Sequence, residues 1–309
     1  QITEALLLTL SARERLDMRR PAAADVAAYD CYLRGRQLYH RHNRHAAAEA
    51  RELFARAAQI DPGFASAFAG IADCHSYLYI HAGRDPRHLD AALEAARTAL
   101  RLGPSSAEAH ASLGTALSLA GEREEAEQHF EEAIAYNPDL FEAYYFYARN
   151  SFAAGRPERA AELYEAASRI RPEDYQSPLL VAQSYEDLGH PDLAKVCRLR
   201  GVAIAEAHLR MMPDDARALY MGANGLVALG EVDKGLEWAK RAVGMGPDDP
   251  MLLYNVACIF SMANRVDEAL GYIEAAVAHG MRLRGWLEHD SNLDNIRDTP
   301  RFQAVMAKL

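Results

Sequence analysis

The chain has 309 residues, a formal net charge of −10 at pH 7 and 50% hydrophobic residues. This acidic balance argues against nucleic acid or an anionic membrane surface as a partner, because both would repel an acidic surface. No apolar run approaches the roughly 18 residues that a membrane span needs. The short apolar run at residues 5–10 has no basic region before it, so it is not expected to be a signal peptide.

Residues 4–19 are predicted to form an amphipathic helix, because apolar residues recur at helical spacing along one side: Ala5, Leu8, Ala12 and Leu16. The chain begins with Gln1 and not with methionine. We therefore expect it to be part of a longer protein, with residues 1–25 forming a helix and a connector after an upstream domain. Whether a leader preceded Gln1 stays open at this stage.

A repeated pattern follows and is clearest in residues 107–172, where two blocks superimpose at a spacing of 34. The matched pairs are Gly114 with Ala148, Gly121 with Gly155, Ala126 with Ala160, Phe130 with Tyr164, Ala133 with Ala167, and Pro138 with Pro172. Each block contains two helical runs around a turn. A helical hairpin of this length cannot bury its apolar face alone, so the pattern predicts a solenoid of stacked units.

The pattern L-G-x6-G-x4-A-x3-F-x2-A-x4-P, which runs from Leu113 to Pro138, resembles the tetratricopeptide repeat. The resemblance implies an all-α fold, a right-handed α-solenoid of about seven helical hairpins with an N-terminal helix and a C-terminal capping helix. The predicted units are 26–62, 63–104, 105–138, 139–172, 173–213, 214–247 and 248–280, followed by the cap at 281–309.

The fifth unit departs from the period, because Pro172 and Pro213 are 41 residues apart. Apolar residues continue at helical spacing through the added stretch: Leu193, Val196, Leu199, Val202, Ile204 and Leu209. We predict that the second helix of this unit is extended to about 20 residues and that the extra residues do not form a loop.

A wider resemblance involves AYDCYLRGRQLYHR near the start, and LLYNVACIF and WLEHDSNLDNIRDTPRF near the end. These segments are similar to the C-terminal repeat regions of bacterial multidomain signalling proteins, namely adenylate cyclases, Ser/Thr kinases and winged-helix regulators. In such proteins the repeats follow a catalytic or DNA-binding domain. The resemblance does not indicate which upstream domain this chain has.

No motif in the sequence predicts catalysis or a metal site. His40, His42 and His45 lie in a polar turn, and no two of them are four residues apart on a helix. The acidic run at residues 290–294 departs from a calcium loop at Asn295 and Arg301. The cysteines, which are Cys31, Cys74, Cys197 and Cys258, are far apart and are expected to be reduced, which favours a cytoplasmic protein. We therefore expect a non-enzyme without cofactor or metal.

The resemblance places one free face of each first helix on a concave groove. The candidate ligand-binding residues on that face are Tyr145, Arg149, Phe152, Gln183, Tyr220, Asn224, Tyr254 and Asn255. Tyrosine recurs at one repeat position, at Tyr32, Tyr145, Tyr220 and Tyr254, where it could bind a peptide or pack between repeats. Both alternatives remain open.

Asn224 and Asn255 match two asparagines of the carboxylate-clamp type of tetratricopeptide domain. The lysine positions of that clamp are not matched, since Tyr220 stands at the first, so we do not expect a clamp for a chaperone's C-terminus. Arg149 favours an acidic residue or a carboxylate on the ligand.

Two functions from different classes fit this sequence. In the first, the chain is a non-catalytic scaffold that binds a protein or peptide segment in its groove. In the second, it is a regulatory module that contacts and holds or gates an upstream cyclase, kinase or DNA-binding domain of the same polypeptide. Neither the partner nor the oligomeric state is predicted.

Overall fold

The computed structural model describes residues 25–81, 83–282 and 284–309, without the side chains of Trp286 and His289. The predicted helix at residues 4–19 lies outside the described residues. Within them, the expected all-α array is confirmed: fourteen helices follow one another as seven pairs, and shorter helices complete the chain. None of the described helices is both long enough and apolar enough to span a bilayer.

The helices of the first four pairs are α1 (Val26–Tyr39), α2 (Arg44–Ile60), α3 (Ala65–His81), α4 (Pro86–Leu102), α5 (Ala107–Ala120), α6 (Arg123–Tyr136), α7 (Phe141–Ala153) and α8 (Pro157–Ile170). Those of the last three pairs are α9 (Gln176–Asp187), α10 (Pro191–Met211), α11 (Ala216–Ala228), α12 (Val232–Met245), α13 (Pro250–Met262) and α14 (Val266–Ala278). The final segments are α15 (Arg284–His289), a 3₁₀ turn (Ser291–Leu293), α16 (Asp294–Arg297) and α17 (Pro300–Met306).

The columns of the repeat have direct physical roles in the third pair. Gly121 ends α5 in the left-handed backbone region, with φ 92°, which residues with a Cβ rarely adopt. A Cβ on Gly114 would lie 2.9 Å from the ring of Phe130 and 3.0 Å from the carbonyl oxygen of Ala126. The two helices therefore approach as closely as they do because residue 114 has no side chain, and Phe130 is fully buried between them.

The predicted long helix of the fifth unit is confirmed as α10, which has 21 residues. Its C-terminal half carries the buried residues Val202, Ala205 and Leu209. Its N-terminal half exposes an apolar stripe, with Leu193, Val196 and Leu199 between 48% and 63% exposed. The two largest apolar clusters of the array meet at this unit, one ending at Val181 and the other beginning at Tyr175.

The C-terminal cap covers the last repeat with a series of short helices. Leu287, Leu293, Ile296 and Phe302 are buried in the same cluster as the seventh pair. The expected capping helix is present as α17, which begins at Pro300 after the N-cap Thr299. The end of the array is therefore closed by apolar side chains that face inward.

The first and last repeats meet across the groove. Arg44, at the start of α2, lies 3.6 Å from a carboxylate oxygen of Asp248 and 3.5 Å from one of Asp249. The Tyr77 hydroxyl donates to the carbonyl oxygen of His42, which anchors the α1–α2 turn on the second repeat. The array thus winds far enough for this turn to contact the loop between α12 and α13.

Candidate functional site: the concave groove

One hydrogen-bond network on the groove side joins three successive repeats. The Arg217 guanidinium donates to Gln176 Oε1 at 2.7 Å and to the Tyr145 hydroxyl at 3.1 Å, and that hydroxyl donates to Gln176 Oε1 at 3.1 Å. Arg217 comes from α11, Gln176 from α9 and Tyr145 from α7. The network fixes Arg217, since two neutral oxygens of neighbouring repeats hold its guanidinium.

Three of the eight residues expected to contact a ligand are engaged within the fold. Tyr145 is 5% exposed and packs against the rings of Phe141 and Tyr164. Tyr254 is 3% exposed and donates its hydroxyl to the Asp290 carboxylate of the cap. The Asn255 amide donates to the carbonyl oxygen of Met251 in its own helix, at 2.7 Å. Contacts within the fold therefore account for the position of both buried tyrosine rings.

The other five candidates remain partly accessible. Arg149 is half-buried and forms no ion pair or hydrogen bond with the part of the chain that the structure describes, and the Tyr220 hydroxyl likewise has no described partner. Among the described residues, the Asn224 amide donates a hydrogen bond only to the sulfur of Met262, at 3.3 Å, which is a weak acceptor. Gln183 and Phe152 are half-buried, and Phe152 packs against the apolar core of the middle repeats.

A cavity of about 590 Å³ lies where the first repeat meets the sixth and seventh. Its wall includes residues from the α1–α2 turn, the end of α3, the start of α11 and the α12–α13 loop: His42, Arg44, Tyr77, His81, Arg217, Tyr220 and Asp249. A volume of this size is typical of ligand sites. The cavity therefore places Tyr220 and Arg217 opposite residues that are far away in the sequence.

Arginine charges act on two buried histidines in this region. Burial, followed by the charge of Arg217, lowers the pKa of His42 to about 3. Burial and the charges of Arg217 and Arg149 lower the pKa of His81 well below its ordinary value. Both imidazoles are therefore neutral at pH 7, while the arginines stay charged. We call His42, Arg44, His81, Arg149 and Arg217 the basic end of the groove.

The acidic groups at the opposite end have hydrogen-bond partners within the fold. The Arg171 guanidinium donates to the Glu142 carboxylate at 3.0 Å. Although burial by itself would raise the pKa of Glu142, Arg171 and Arg36 lower it below the ordinary value. The Asp73 carboxylate accepts a bond from Ser112 Oγ at 2.7 Å, yet burial raises its pKa to about 7. We call Arg36, Asp73, Glu142 and Arg171 the balanced end.

Sequence reasoning did not single out His42, His81 or Arg44 as groove residues. His42 was assigned to a solvated turn, and nothing in its sequence context places it beside α11. Arg217, in contrast, occupies the same face of its helix as Tyr220, so the repeat pattern contained a signal for it. His42, His81 and Arg44 lie near α11 only because the winding of the array brings the first two repeats close to the sixth and seventh.

Comparison with known proteins agrees with this architecture. Residues 119–183 and 220–282 match models described as tetratricopeptide repeat. Together with the seven stacked pairs, these matches show that the chain contains tetratricopeptide repeats. The expected resemblance to bacterial signalling proteins is confirmed by a relative of the adenylate cyclase type, given next.

The chain is 33% identical over 128 residues to putative adenylate cyclase 3 of Rhizobium meliloti (strain 1021), which covers 41% of this chain and 22% of that protein. It is 26% identical over 186 residues to tetratricopeptide repeat protein 7B of Homo sapiens, covering 53% of this chain and 21% of that protein. The chain thus spans about a fifth of the length of these curated relatives.

Two solved structures are similar in their repeats. MamA has a TM-score of 0.42 and 22% identity, with 54% of this chain and 92% of that chain covered. YrrB, described as a TPR protein with an unusual peptide-binding site, has a TM-score of 0.38 and 20% identity, with 60% and 93% covered. These likenesses concern the fold of the repeats.

Proposed function

We propose that this protein is a non-catalytic scaffold that binds an extended peptide or protein segment in its concave groove, with an acidic group of the ligand at the basic end. The observation that carries the proposal is the charge imbalance there. Within the described residues, neither Arg149 nor Arg217 has a carboxylate within ion-pair distance. A ligand carboxylate would supply the charge that the fold does not.

The accessible groove residues have side chains that are suited to binding a peptide. Tyr220 presents an aromatic ring and a hydroxyl at the cavity wall, and such residues are enriched at binding hot spots. Asn224 lies one helical turn further along α11 and can bond a peptide backbone, because its present partner is only a thioether. Gln183 would add a polar contact and Phe152 an apolar one in the neighbouring repeats.

The test begins with the partner. The full chain is used as bait, the captured protein is identified by mass spectrometry, and its bound segment is synthesised as a labelled peptide. Binding of that peptide is then measured by fluorescence anisotropy. Tyr220→Ala is expected to weaken binding about 30-fold, as for a hot spot worth about 2 kcal/mol, and Arg149→Ala at least about tenfold.

Arg169→Ala is the matched control, since Arg169 is also an arginine of the fourth repeat but lies exposed on the second helix, paired only with Glu165. It should bind the peptide like the wild type. Thermal melting separates binding from folding: if Tyr220→Ala lowers only the melting temperature, the ring serves packing. Unchanged affinity in both groove variants would rule out the groove as the site.

A second function, that of a regulatory module for an upstream domain of the same polypeptide, is favoured by the similarity to the putative adenylate cyclase. Its test uses the full reading frame with and without residues 26–309. A change in the activity of the upstream domain on deletion supports gating. An unchanged activity, together with loss of partner capture, supports the scaffold alone.

A further inference from the structure

Three metal-ligating side chains converge in the third repeat, away from the concave groove. His110 comes from α5, and His129 and Glu132 lie three residues apart on α6. The two Nδ1 atoms are 3.0 Å apart, Glu132 Oε2 is 2.9 Å from His110 Nδ1, and it is 4.0 Å from His129 Nδ1. One donor atom from each residue therefore lies within 4.0 Å of the other two.

The size of this triangle fits a transition-metal ion. A triangle with sides of 2.9, 3.0 and 4.0 Å has a circumradius of about 2.0 Å, so one point lies that far from all three donors. Zinc bonds to imidazole nitrogen and carboxylate oxygen measure about 2.0 to 2.2 Å. An ion slightly out of the plane keeps those lengths and leaves a fourth position for water.

The buried histidine of this cluster, His110, is oriented by a contact with the backbone. His110 is 4% exposed, and its Nε2 lies 3.0 Å from the carbonyl oxygen of Pro104. Donation from Nε2–H to this oxygen leaves the Nδ1 lone pair directed at His129 and Glu132. Histidine ligands commonly make this second contact, which selects the tautomer and fixes the ring.

The close approach of these three donors is unfavourable unless a proton or a metal cation lies between them. With His110 donating from Nε2, its Nδ1 lone pair faces a carboxylate oxygen at 2.9 Å, and two acceptors at that distance repel each other. Either a proton between the two groups or a metal cation between the three donors removes the repulsion. The nearby pair His75 and His88 also has Nδ1 atoms 2.9 Å apart, but among the described residues no carboxylate completes a group of three donors with it.

We propose that His110, His129 and Glu132 bind one divalent transition-metal ion, with zinc as the best match, and that this ion ties α5 to α6. Imidazole nitrogens with one carboxylate suit zinc and its neighbours, whereas calcium and magnesium prefer sites made of oxygen alone. The fourth position faces solvent, because His129 and Glu132 are partly and largely exposed.

The experiment is a calorimetric titration of zinc chloride into the full chain, prepared without a histidine tag and stripped with a chelator. We expect one zinc per chain and a Kd in the micromolar range or tighter. Glu132→Gln keeps the shape of the side chain, lies near the surface and should weaken binding at least tenfold. His129→Asn should do the same. His110→Ala is less informative because His110 is buried and its loss can disturb folding.

The controls are Glu124→Gln, an exposed carboxylate at the start of α6, and His88→Gln, which disrupts the other histidine pair. Both should bind zinc like the wild type, and magnesium in excess should not compete. Cobalt should give visible absorption bands that disappear in Glu132→Gln. The proposal is overturned if the wild type binds no zinc, if Glu132→Gln binds it equally well, or if His88→Gln abolishes binding.

Discussion

The two ends of the groove treat charge in opposite ways. At the balanced end, Glu142 is paired with Arg171, and Asp73 is bonded to Ser112. At the basic end, Arg149 and Arg217 have no carboxylate partner among the described residues, and the nearby His42 and His81 are held neutral by burial and by those arginines.

This difference separates a structural surface from a candidate binding surface within one groove. Charged groups that already have partners within the fold have little capacity left for a ligand. Charges without a partner lower the stability slightly, and a ligand of opposite sign relieves that cost. This difference in pairing, more than the tyrosine column, is why we propose the basic end as the binding end.

The largest expected effect is a loss of folding stability at acidic pH, which arises from His42 and His81 at the basic end. The folded-state pKa of His42, about 3, and that of His81 are both depressed, so their stabilising contribution is present above the ordinary value of 6.5 and is lost as pH falls below it. Between pH 7 and pH 4 we expect His42→Asn to lose about 2 to 3 kcal/mol less stability than the wild type, and the double variant with His81→Asn to lose still less.

Urea unfolding at pH 7, 5.5 and 4 measures this effect, with the exposed His279→Asn as control. The control should follow the wild type at every pH. If the double variant also follows the wild type, the two imidazoles are not buried as neutral groups, and the contrast between the ends disappears.

A smaller effect of opposite sign is expected at the balanced end. The pKa of Asp73 is raised to about 7, so the stability that its protonated form contributes is complete below the ordinary value of 3.8 and is lost as pH rises through 7. Asp73→Asn cannot ionise. It should be more stable than the wild type at pH 8, by about 1 to 2 kcal/mol, and nearly equal to it at pH 4.

The same urea series measures this difference, with Asp139→Asn, an exposed loop aspartate, as control. A stability gain for Asp73→Asn that is equal at pH 4 and pH 8 would mean that a change in packing, and not ionisation, causes it.

The smallest effect concerns the contact that closes the groove. Arg44 lies 3.5 to 3.6 Å from Asp248 and Asp249 and is partly exposed, and ion pairs of this kind contribute about 0 to 1 kcal/mol. Arg44→Ala should hardly change global stability. It should speed hydrogen exchange of residues 40–45 and 246–249 and the association of the peptide ligand. A stability loss above about 2 kcal/mol would show that the contact is part of the core.

The sequence by itself determined the architecture, because each repeat depends on contacts between residues close in the chain. Gly114 and Phe130 meet within one hairpin, Gly121 ends a helix through its own backbone, and the 41-residue interval before Pro213 predicted the length of α10. It also placed Tyr145, Tyr220 and Tyr254 in one column. Periodicity of this kind records local packing, which one repeat and its neighbour decide.

Only the tertiary structure decided which members of that column are free. Tyr254 is buried because the cap brings Asp290 to it, whereas Tyr220 borders a cavity formed with the α1–α2 turn. The approach of His42 and Arg44 to α11 and α12 depends on small rotations between repeats that accumulate over the array. His110 and His129 meet because α5 and α6 pack side by side, although 19 residues separate them. Spacing along the chain does not encode such contacts, since they arise from how whole helices are placed.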